Sequence, residues 1–479
     1  MIITKTPTIE MKRFMLAAFM MAFLMDGFSQ SLQGSWSGVL TVQEFKLRLV
    51  FNLEETAHGL EATMDSPDQN AYGIPVSEAV YNAPQLELKI TPLMASFEGR
   101  LIGDSLIGNF SQAGMLFPLK LTKTAAGSLG PNRPQEPIPP FGYRTEEIRF
   151  RNAAAEIWLA GTLTLPEGKG PFPAVALISG SGAQNRDQEV FGHKPFWVLA
   201  DHLTRSGFAV LRFDDRGTAA SEGDFASATT ADFALDALSA VSFLRQHPNI
   251  AASAVGLIGH SEGGIVAPMA AARDHNIACL VLMAGSGLPG HELLMLQSRR
   301  LSEVSGLPAE SITRSLALNR MIYDKVMKSD DSLGLAEELT EYLRDQLPSI
   351  IDLNAEGFDA EAFIAGQIAQ VTSPWFRYFL SHDPAVDLAK VECPVLALNG
   401  LNDLQVPAVE NLKAIKEALS RGGNHAITLV DFPELNHLFQ TSTSGLPAEY
   451  AIIEETLSPV LLDTISQWLE AHLKTKIDK

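Results

Sequence analysis

The chain has 479 residues, of which 46% are hydrophobic and 19% charged. That balance builds a sizeable core and excludes a disordered chain, and the length leaves room for more than one domain. The formal net charge of −20 offers no basic footprint, which argues against nucleic acid as a partner.

Lys12 and Arg13 precede an apolar run from Phe14 to Met25, and polar, turn-prone residues follow through Ser29 and Gln30. This is the layout of a secretory signal peptide over residues 1–30, and the run is short for a membrane span. Met11 is an alternative start. The small-residue rule for cleavage is poorly met, because Phe28 and Gln30 flank Ser29, and no lipobox cysteine lies near. The expectation is a secreted or periplasmic protein with no stable membrane insertion once the signal is removed. An uncleaved anchor is the competing reading.

Residues 34–123 read as short alternating strands, among them Gly38–Val42, Phe45–Phe51, Leu86–Ile90 and Leu116–Leu121, separated by Gly, Asn, Asp and Pro. A small antiparallel sheet or barrel is expected there. A linker over 124–142 follows, rich in Gly, Pro and Asn from Gly127 to Pro140. From Tyr143 the pattern changes. Apolar strands at Ala174–Ser179, Ala209–Phe213, Val255–Gly259, Cys279–Ala284, Pro394–Asn399 and Ala426–Asp431 alternate with helical runs at Ala200–Ser206 and Asp232–Gln246. Continuous apolar strands between helices predict a parallel sheet covered on both faces, so 143–479 reads as one α/β domain. A helical insert over about 288–387 shows no strand signal and is expected to cap the site. Cys279 and Cys393 both sit in apolar runs and read as buried free thiols, although a disulfide is possible.

The chemistry centres on Gly259-His260-Ser261-Glu262-Gly263, followed by Gly264. The strand before it and the helical run Ile265–Arg273 after it supply the strand–turn–helix context that a nucleophile elbow needs. Glycines let the chain turn tightly, and the helix N-terminus favours negative charge beside the serine. A serine hydroxyl needs a base to take its proton. His437 follows the last strand, and Asp403 follows the strand before it, in Gly400–Pro407. Both fall at strand C-terminal ends, in the chain order serine, acid, histidine. Asp403 would hold the imidazole in the useful tautomer. His260 should point away from the nucleophile, while Asp431 and Glu434 precede His437 in the wrong segment. The oxyanion of a tetrahedral intermediate needs backbone donors. The N–H of Glu262 is one candidate, and the loop Ser179-Gly-Ser-Gly182 supplies the other, Ser181 first and Gly182 next. The charges of Gln184–Asp187 and Arg212–Gly217 read as structural, the latter as a buried network that fixes its turn.

Five segments, Ser179–Asp187, Arg212–Gly223, Gly259–Gly264, Gly400–Pro407 and Leu435–Gln440, resemble those of bacterial two-domain α/β-hydrolase esterases in the serine-aminopeptidase-like and dienelactone-hydrolase-like branch. Ser66-Pro-Asp-Gln69 is similar to a run in the β-rich N-terminal domain of such esterases. The resemblance covers nearly the whole chain after the signal. It implies an α/β-hydrolase fold with a helical cap insert, preceded by a small all-β domain. It also implies carboxylic-ester hydrolysis of a small-molecule ester without metal or organic cofactor. The triad would be Ser261, Asp403 and His437, with Ser181 and Glu262 at the oxyanion hole. Two departures stand out: Ser179 where the wider fold often has His, and Ala219 where glycine is usual.

Three functions follow as alternatives. The first is a carboxylesterase, the second a serine peptidase of the aminopeptidase kind, and the third a binding protein with a silent hydrolase core. A peptidase needs a carboxylate for the substrate ammonium. The insert offers Glu337, Glu338, Glu341 and Asp345, whose helical spacing reads as a solvated face. Oligomeric state is not legible.

Overall fold

The computed structural model describes residues 32–42, 45–56, 59–67, 71–93, 95–112, 115–124, 133–329, 331–347 and 360–474. The signal peptide expected over 1–30 lies outside them, as does part of the Ser66–Gln69 run. The chain divides near Leu129 into two compact units.

The first unit is a sheet of nine antiparallel strands: β1 (Gly34–Val42), β2 (Phe45–Thr56), β3 (Gly59–Ser66), β4 (Ala71–Pro75), β5 (Glu78–Asn82), β6 (Gln85–Ile90), β7 (Ala95–Ile102), β8 (Ser105–Gln112) and β9 (Met115–Thr124). Their order is β4-β3-β2-β1-β9-β8-β7-β6-β5. β3 and β5 stand far apart in that order yet touch, so the sheet curls back on itself. The period-two pattern explains the packing. Leu86, Leu88 and Ile90 alternate with polar residues along β6 and are fully buried, packing in one core with Phe51, Phe97 and Phe110. A register slip of one residue would turn all three to solvent.

The second unit has eight strands: β10 (Arg144–Asn152), β11 (Ile157–Leu165), β12 (Phe172–Ile178), β13 (Ala209–Phe213), β14 (Ile250–His260), β15 (Leu280–Met283), β16 (Val395–Gly400) and β17 (Ile427–Phe432). Their order is β10-β11-β13-β12-β14-β15-β16-β17. From β13 to β17 the neighbours are parallel, whereas β10, β11 and β13 pair antiparallel. The sheet is therefore mixed, not wholly parallel as the apolar strands suggest. The difference lies in the hairpin β10–β11. Arg144, Glu146, Glu147, Arg149 and Arg151 give β10 an edge-strand composition, and its turn closes at Glu156 with φ +58°.

Helices cover both faces. On one side lie α1 (Pro195–Arg205) and α11 (Pro459–Leu473), and on the other α2 (Thr230–Gln246), α3 (Gly263–Ala271) and α10 (Ala408–Arg421). Thr229 and Asp232 form a capping box at the start of α2, satisfying two amides that the helix itself leaves open. Between β15 and β16 the insert is helical, as expected: α4 (Gly290–Val304), α5 (Ala309–Lys328), α6 (Ser332–Gln346), α7 (Ala360–Val371), α8 (Pro374–Ser381) and α9 (Pro384–Leu388). It has its own apolar core, including Val326, Leu339, Ile364 and Leu380. Glu337, Glu338, Glu341 and Asp345 are exposed on α6, and Glu338 pairs with Lys325. Cys279 and Cys393 are not joined in a disulfide. Cys279 is buried, but Cys393 is only half-buried, because it stands just before β16 and not within it.

The segment after β13 is a buried charge network, as its composition suggests. Arg212 pairs with Asp187, Arg186 with Asp214 at 2.8 Å, and Arg216 with Asp236 at 2.7 Å. Asn152 adds a hydrogen bond to Asp236 at 2.6 Å. Such pairs are strongly destabilising to break, because the surviving charge stays buried. The turn that closes this network passes through Ala219 at φ +47°, the position where the related segments carry glycine. The left-handed region costs an L-residue about 1–2 kcal/mol, and glycine loses about 0.5–1 kcal/mol of that advantage through its freer unfolded chain. Ala219→Gly is therefore expected to raise stability by about 0.5–1 kcal/mol, read as a higher urea midpoint with an unchanged slope.

Candidate active site

β14 ends at His260, and α3 begins at Gly263. Ser261 lies between them at φ +54°, a conformation that costs a non-glycine residue about 1–3 kcal/mol. The surroundings impose it. The Ser261 N–H donates to the Met283 carbonyl at 2.9 Å, and its own carbonyl accepts from Gly264 at 2.9 Å. A Cβ at Gly259 would run into the Gly263 carbonyl, and one at Gly263 into the Ile178 carbonyl. Only glycines permit this turn.

The structure brings the three expected residues together. His437 Nε2 lies 3.1 Å from Ser261 Oγ, and His437 Nδ1 lies 2.8 Å from Asp403 Oδ2. The other Asp403 oxygen accepts the N–H groups of Gln405 and Val406, both at 2.8 Å. The carboxylate is thereby an acceptor, so Nδ1 carries the proton and Nε2 is free to accept one from the serine. Asp403 is 2% and His437 5% exposed, which keeps water from competing for these bonds.

The residues expected at an oxyanion hole are placed less evenly. Glu262 follows the nucleophile at the open end of α3, where an unsatisfied N–H favours an anion. Gly180 and Ser181 line the cavity beside Ser261. A Cβ at Gly180 would come within 3.2 Å of the Ser261 Cβ, so this loop passes very close to the nucleophile. Gly182 does not line the cavity; its φ of +92° serves the turn.

The cavity itself is about 300 Å³. Leu293 and Leu294 from α4, with Trp375 and Phe379 from α8, bring the insert over Ser261. Among the described residues no cluster of His, Cys, Asp and Glu has a geometry that would hold a metal.

Residues 157–429 match the X-Pro dipeptidyl-peptidase (S15) family. The chain belongs to this family. It is a hydrolase of the α/β-hydrolase fold. Over 313 residues, 65% of this chain, it is 26% identical to esterase EstD of Thermotoga maritima, and the match spans 65% of EstD. It is 27% identical over 319 residues to an uncharacterized 31.7 kDa protein of Escherichia coli, covering 66% of this chain and 96% of that one. Among solved structures it is similar to the Pyrococcus furiosus esterase Pf2001, at 15% identity and a TM-score of 0.41, over 70% of this chain and 94% of that one.

In this S15 member several side chains around the serine escape sequence reasoning. The Glu262 carboxylate is fully enclosed. It accepts from Thr230 Oγ1 at 2.7 Å and from the Trp375 indole N–H at 2.8 Å. One buried carboxylate thus ties the turn at Ser261 to α2 and to the cap. Burial pushes its pKa up, against these bonds. The one signal available was a carboxylate inside a glycine-rich buried turn, which demands partners.

His260 lines the same cavity as Ser261, and its bonds go to other partners. Its ring packs 4.9 Å from that of His437, and its Nε2 lies 2.9 Å from the His437 carbonyl. Gln188 donates to His260 Nδ1 at 2.8 Å. Burial, and then the neighbouring His437, push the His260 pKa down to about 3, so it is a neutral brace for the base loop. Arg133 and Gln135 lie in the stretch expected to be a linker, yet they bind the catalytic unit. Arg133 donates to the carbonyls of Phe191, Gly192, Ala451 and Ile453, and Gln135 clamps Thr456 and Leu457. These bonds brace the walls that carry Phe191 and Tyr450. Nothing in the local composition of 124–142 announces such a role.

Ser179, standing where the wider fold often has His, donates to Asp215 Oδ1 at 2.7 Å, and the Gln184 N–H donates to Oδ2 at 2.9 Å. Asp215 thereby holds both ends of the oxyanion loop. Burial raises its pKa to about 7 in spite of these two bonds. The folded protein then keeps a proton that the unfolded chain releases near pH 4. Its contribution to stability is full below pH 4 and is lost as pH rises towards 7. Asp215→Asn is expected to remove this slope. Urea unfolding from pH 4 to 7.5 should show the variant gaining on the parent protein as pH rises, and a constant difference would refute it.

Proposed function

We propose that the protein hydrolyses carboxylic esters through an acyl-enzyme on Ser261. His437 Nε2 takes the serine proton as Oγ attacks the acyl carbon, and Asp403 steadies the imidazolium that results. The oxyanion rests on the N–H groups of Glu262 and Ser181. The C–O bond to the alcohol then breaks, and His437 returns the proton to the departing alkoxide. Water, deprotonated by the same nitrogen, attacks the acyl-serine. The products are a carboxylic acid and an alcohol, and the serine is restored.

The observation that carries this reading over peptidase activity is the cavity lining. Among the described residues it includes no Asp, Glu, Lys or Arg. A peptidase that measures from a free N-terminus needs a carboxylate for the ammonium, since a buried unpaired charge is prohibitively costly. Glu262, one residue from the nucleophile, is sealed behind Trp375 and does not line the cavity. The S15 family, described as X-Pro dipeptidyl-peptidases, keeps peptide cleavage as the second reading. The resemblance to EstD supports the ester. A silent binding role is disfavoured by the hydrogen-bonded Ser261–His437–Asp403 chain.

Two experiments test this. Ser261→Ala should lose fluorophosphonate labelling and at least about a thousandfold in kcat, with an unchanged circular dichroism spectrum. The parent protein should cleave p-nitrophenyl butyrate with a far higher kcat/KM than Gly-Pro p-nitroanilide, and an anilide rate equal to the ester rate would move the assignment to peptidase.

We also propose export from the cytoplasm, on the strength of Lys12, Arg13 and the apolar run to Met25. Protein recovered from the periplasm or medium of a native culture should begin near Gln30 or Ser31. Full-length protein confined to the cytoplasm would overturn this.

A further inference from the structure

The cavity around Ser261 is polar without being charged. Its polarity comes from four glutamines carried by three separate segments: Gln184 and Gln188 in the loop after β12, Gln297 on α4 of the cap, and Gln405 in the loop after β16. Much of their hydrogen-bonding capacity is unspent. The side-chain amide of Gln297 makes no hydrogen bond among the described residues. Gln188 spends its N–H on His260, and its Oε1 is buried without a partner. Gln405 spends its N–H on the Tyr450 hydroxyl at 3.2 Å, and Gln184 spends its N–H on the Ser181 carbonyl at 3.4 Å. Gln188 Oε1 is sealed from the cavity, so what remains for a ligand is the amide oxygens of Gln184 and Gln405 and the whole amide of Gln297, on residues that line the cavity with Ser261.

Four rings complete the lining: Phe191, Trp375, Phe379 and Tyr450. They are held rigidly. Trp375 is fixed through its N–H to Glu262 and stacks on Phe379 with centroids 5.2 Å apart. Phe191 meets Tyr450 edge-on at 5.4 Å.

An amide oxygen left without a donor is costly in a buried site, and a ligand rich in hydroxyl groups supplies donors at close spacing. The side-chain amide offers a donor and an acceptor side by side, which suits neighbouring hydroxyls. Flat apolar rings suit the C–H face of a saturated ring. Among the described residues the lining offers no Asp, Glu, Lys or Arg as counter-charge for a charged alcohol or acid half, whose desolvation would then be costly. A simple alkyl ester would leave the amides unsatisfied. At about 300 Å³ the cavity is at the small end of ligand pockets, which suits one ring with a short acyl group.

We infer that the alcohol half of the substrate is a neutral carbohydrate: the glutamine and aromatic lining makes this site one for short-chain acyl esters of uncharged sugars. This rests on the ester-hydrolase reading and specifies its leaving group. The sugar hydroxyl leaves with the proton held on His437, and the short acyl group remains on Ser261 beside Leu293 and Leu294.

The test compares methyl 6-O-acetylglucoside with cyclohexylmethyl acetate, using the full-length protein. Both carry the same acyl group on a primary alcohol next to a six-membered ring. Each kcat/KM is divided by the ester's rate of hydroxide hydrolysis, which removes the difference in leaving-group acidity. The normalised ratio should favour the sugar ester by tenfold or more. In Gln297→Leu and in Gln405→Leu that ratio should fall about fivefold, the worth of one hydrogen bond of about 1 kcal/mol. p-Nitrophenyl acetate serves as the control. Turnover of the control with a ratio near one would overturn the carbohydrate assignment and leave the esterase standing. A high ratio unmoved in both variants would overturn recognition by the amides. No turnover of the control and no fluorophosphonate labelling would overturn the esterase reading beneath it.

Discussion

Ser261 is held at φ +54° by contacts that leave it no alternative. The strand before it is locked into the centre of the sheet between β12 and β15. Gly259 and Gly263 allow backbone atoms to approach where a Cβ could not fit. The strained conformation lifts the hydroxyl above the sheet edge and aims the start of α3 at the same point. The base and the acid reach that point because β16 and β17 run parallel beside β15, so the loops bearing Asp403 and His437 leave the sheet at the same edge as Ser261. The local strain costs a few kcal/mol at most, and the burial of β14 and α3 in the core offsets it.

Around this point the fold places acids that do no chemistry. Asp215 ties down the oxyanion loop, Glu262 latches the cap through Trp375, and Asp236 neutralises Arg216 behind the turn. Glu262 and Asp236 are buried and Asp215 is half-buried, and each is satisfied by hydrogen bonds or an ion pair. Their common effect is positional. Loops at a sheet edge have few apolar contacts to hold them, so polar bonds of defined direction take that role. The same logic explains Arg133, whose guanidinium spans four carbonyls on two cavity walls.

The chain is strongly acidic as a whole, yet among the described residues those lining the cavity include no Asp, Glu, Lys or Arg. The charges near the serine are all turned inward or paired, which leaves amides, rings and aliphatic side chains to meet the substrate. This separation of structural charge from an uncharged binding surface underlies both the proposed preference for an ester over a peptide terminus and the inferred neutrality of the alcohol.

Strands such as Ala209–Phe213, the helical insert, the tight turn at Ser261, and the meeting of Ser261, Asp403 and His437 at one sheet edge were all legible from the amino-acid sequence. Each depends on a local pattern: apolar runs, helical periodicity, glycines at fixed offsets, and chain order. The antiparallel hairpin β10–β11 was missed because its charged edge strand lacks a continuous apolar run. The roles of the Glu262 side chain, His260, Gln188, Arg133 and Trp375 were not legible, because each depends on partners far away in the chain. Glu262 meets Trp375 across 113 residues, and Arg133 meets Ile453 across 320. A residue's chemistry is written in its own type and its neighbours. Its service as a brace, latch or binding surface exists only once folding brings distant segments within hydrogen-bond range, and that was decided by the tertiary structure alone.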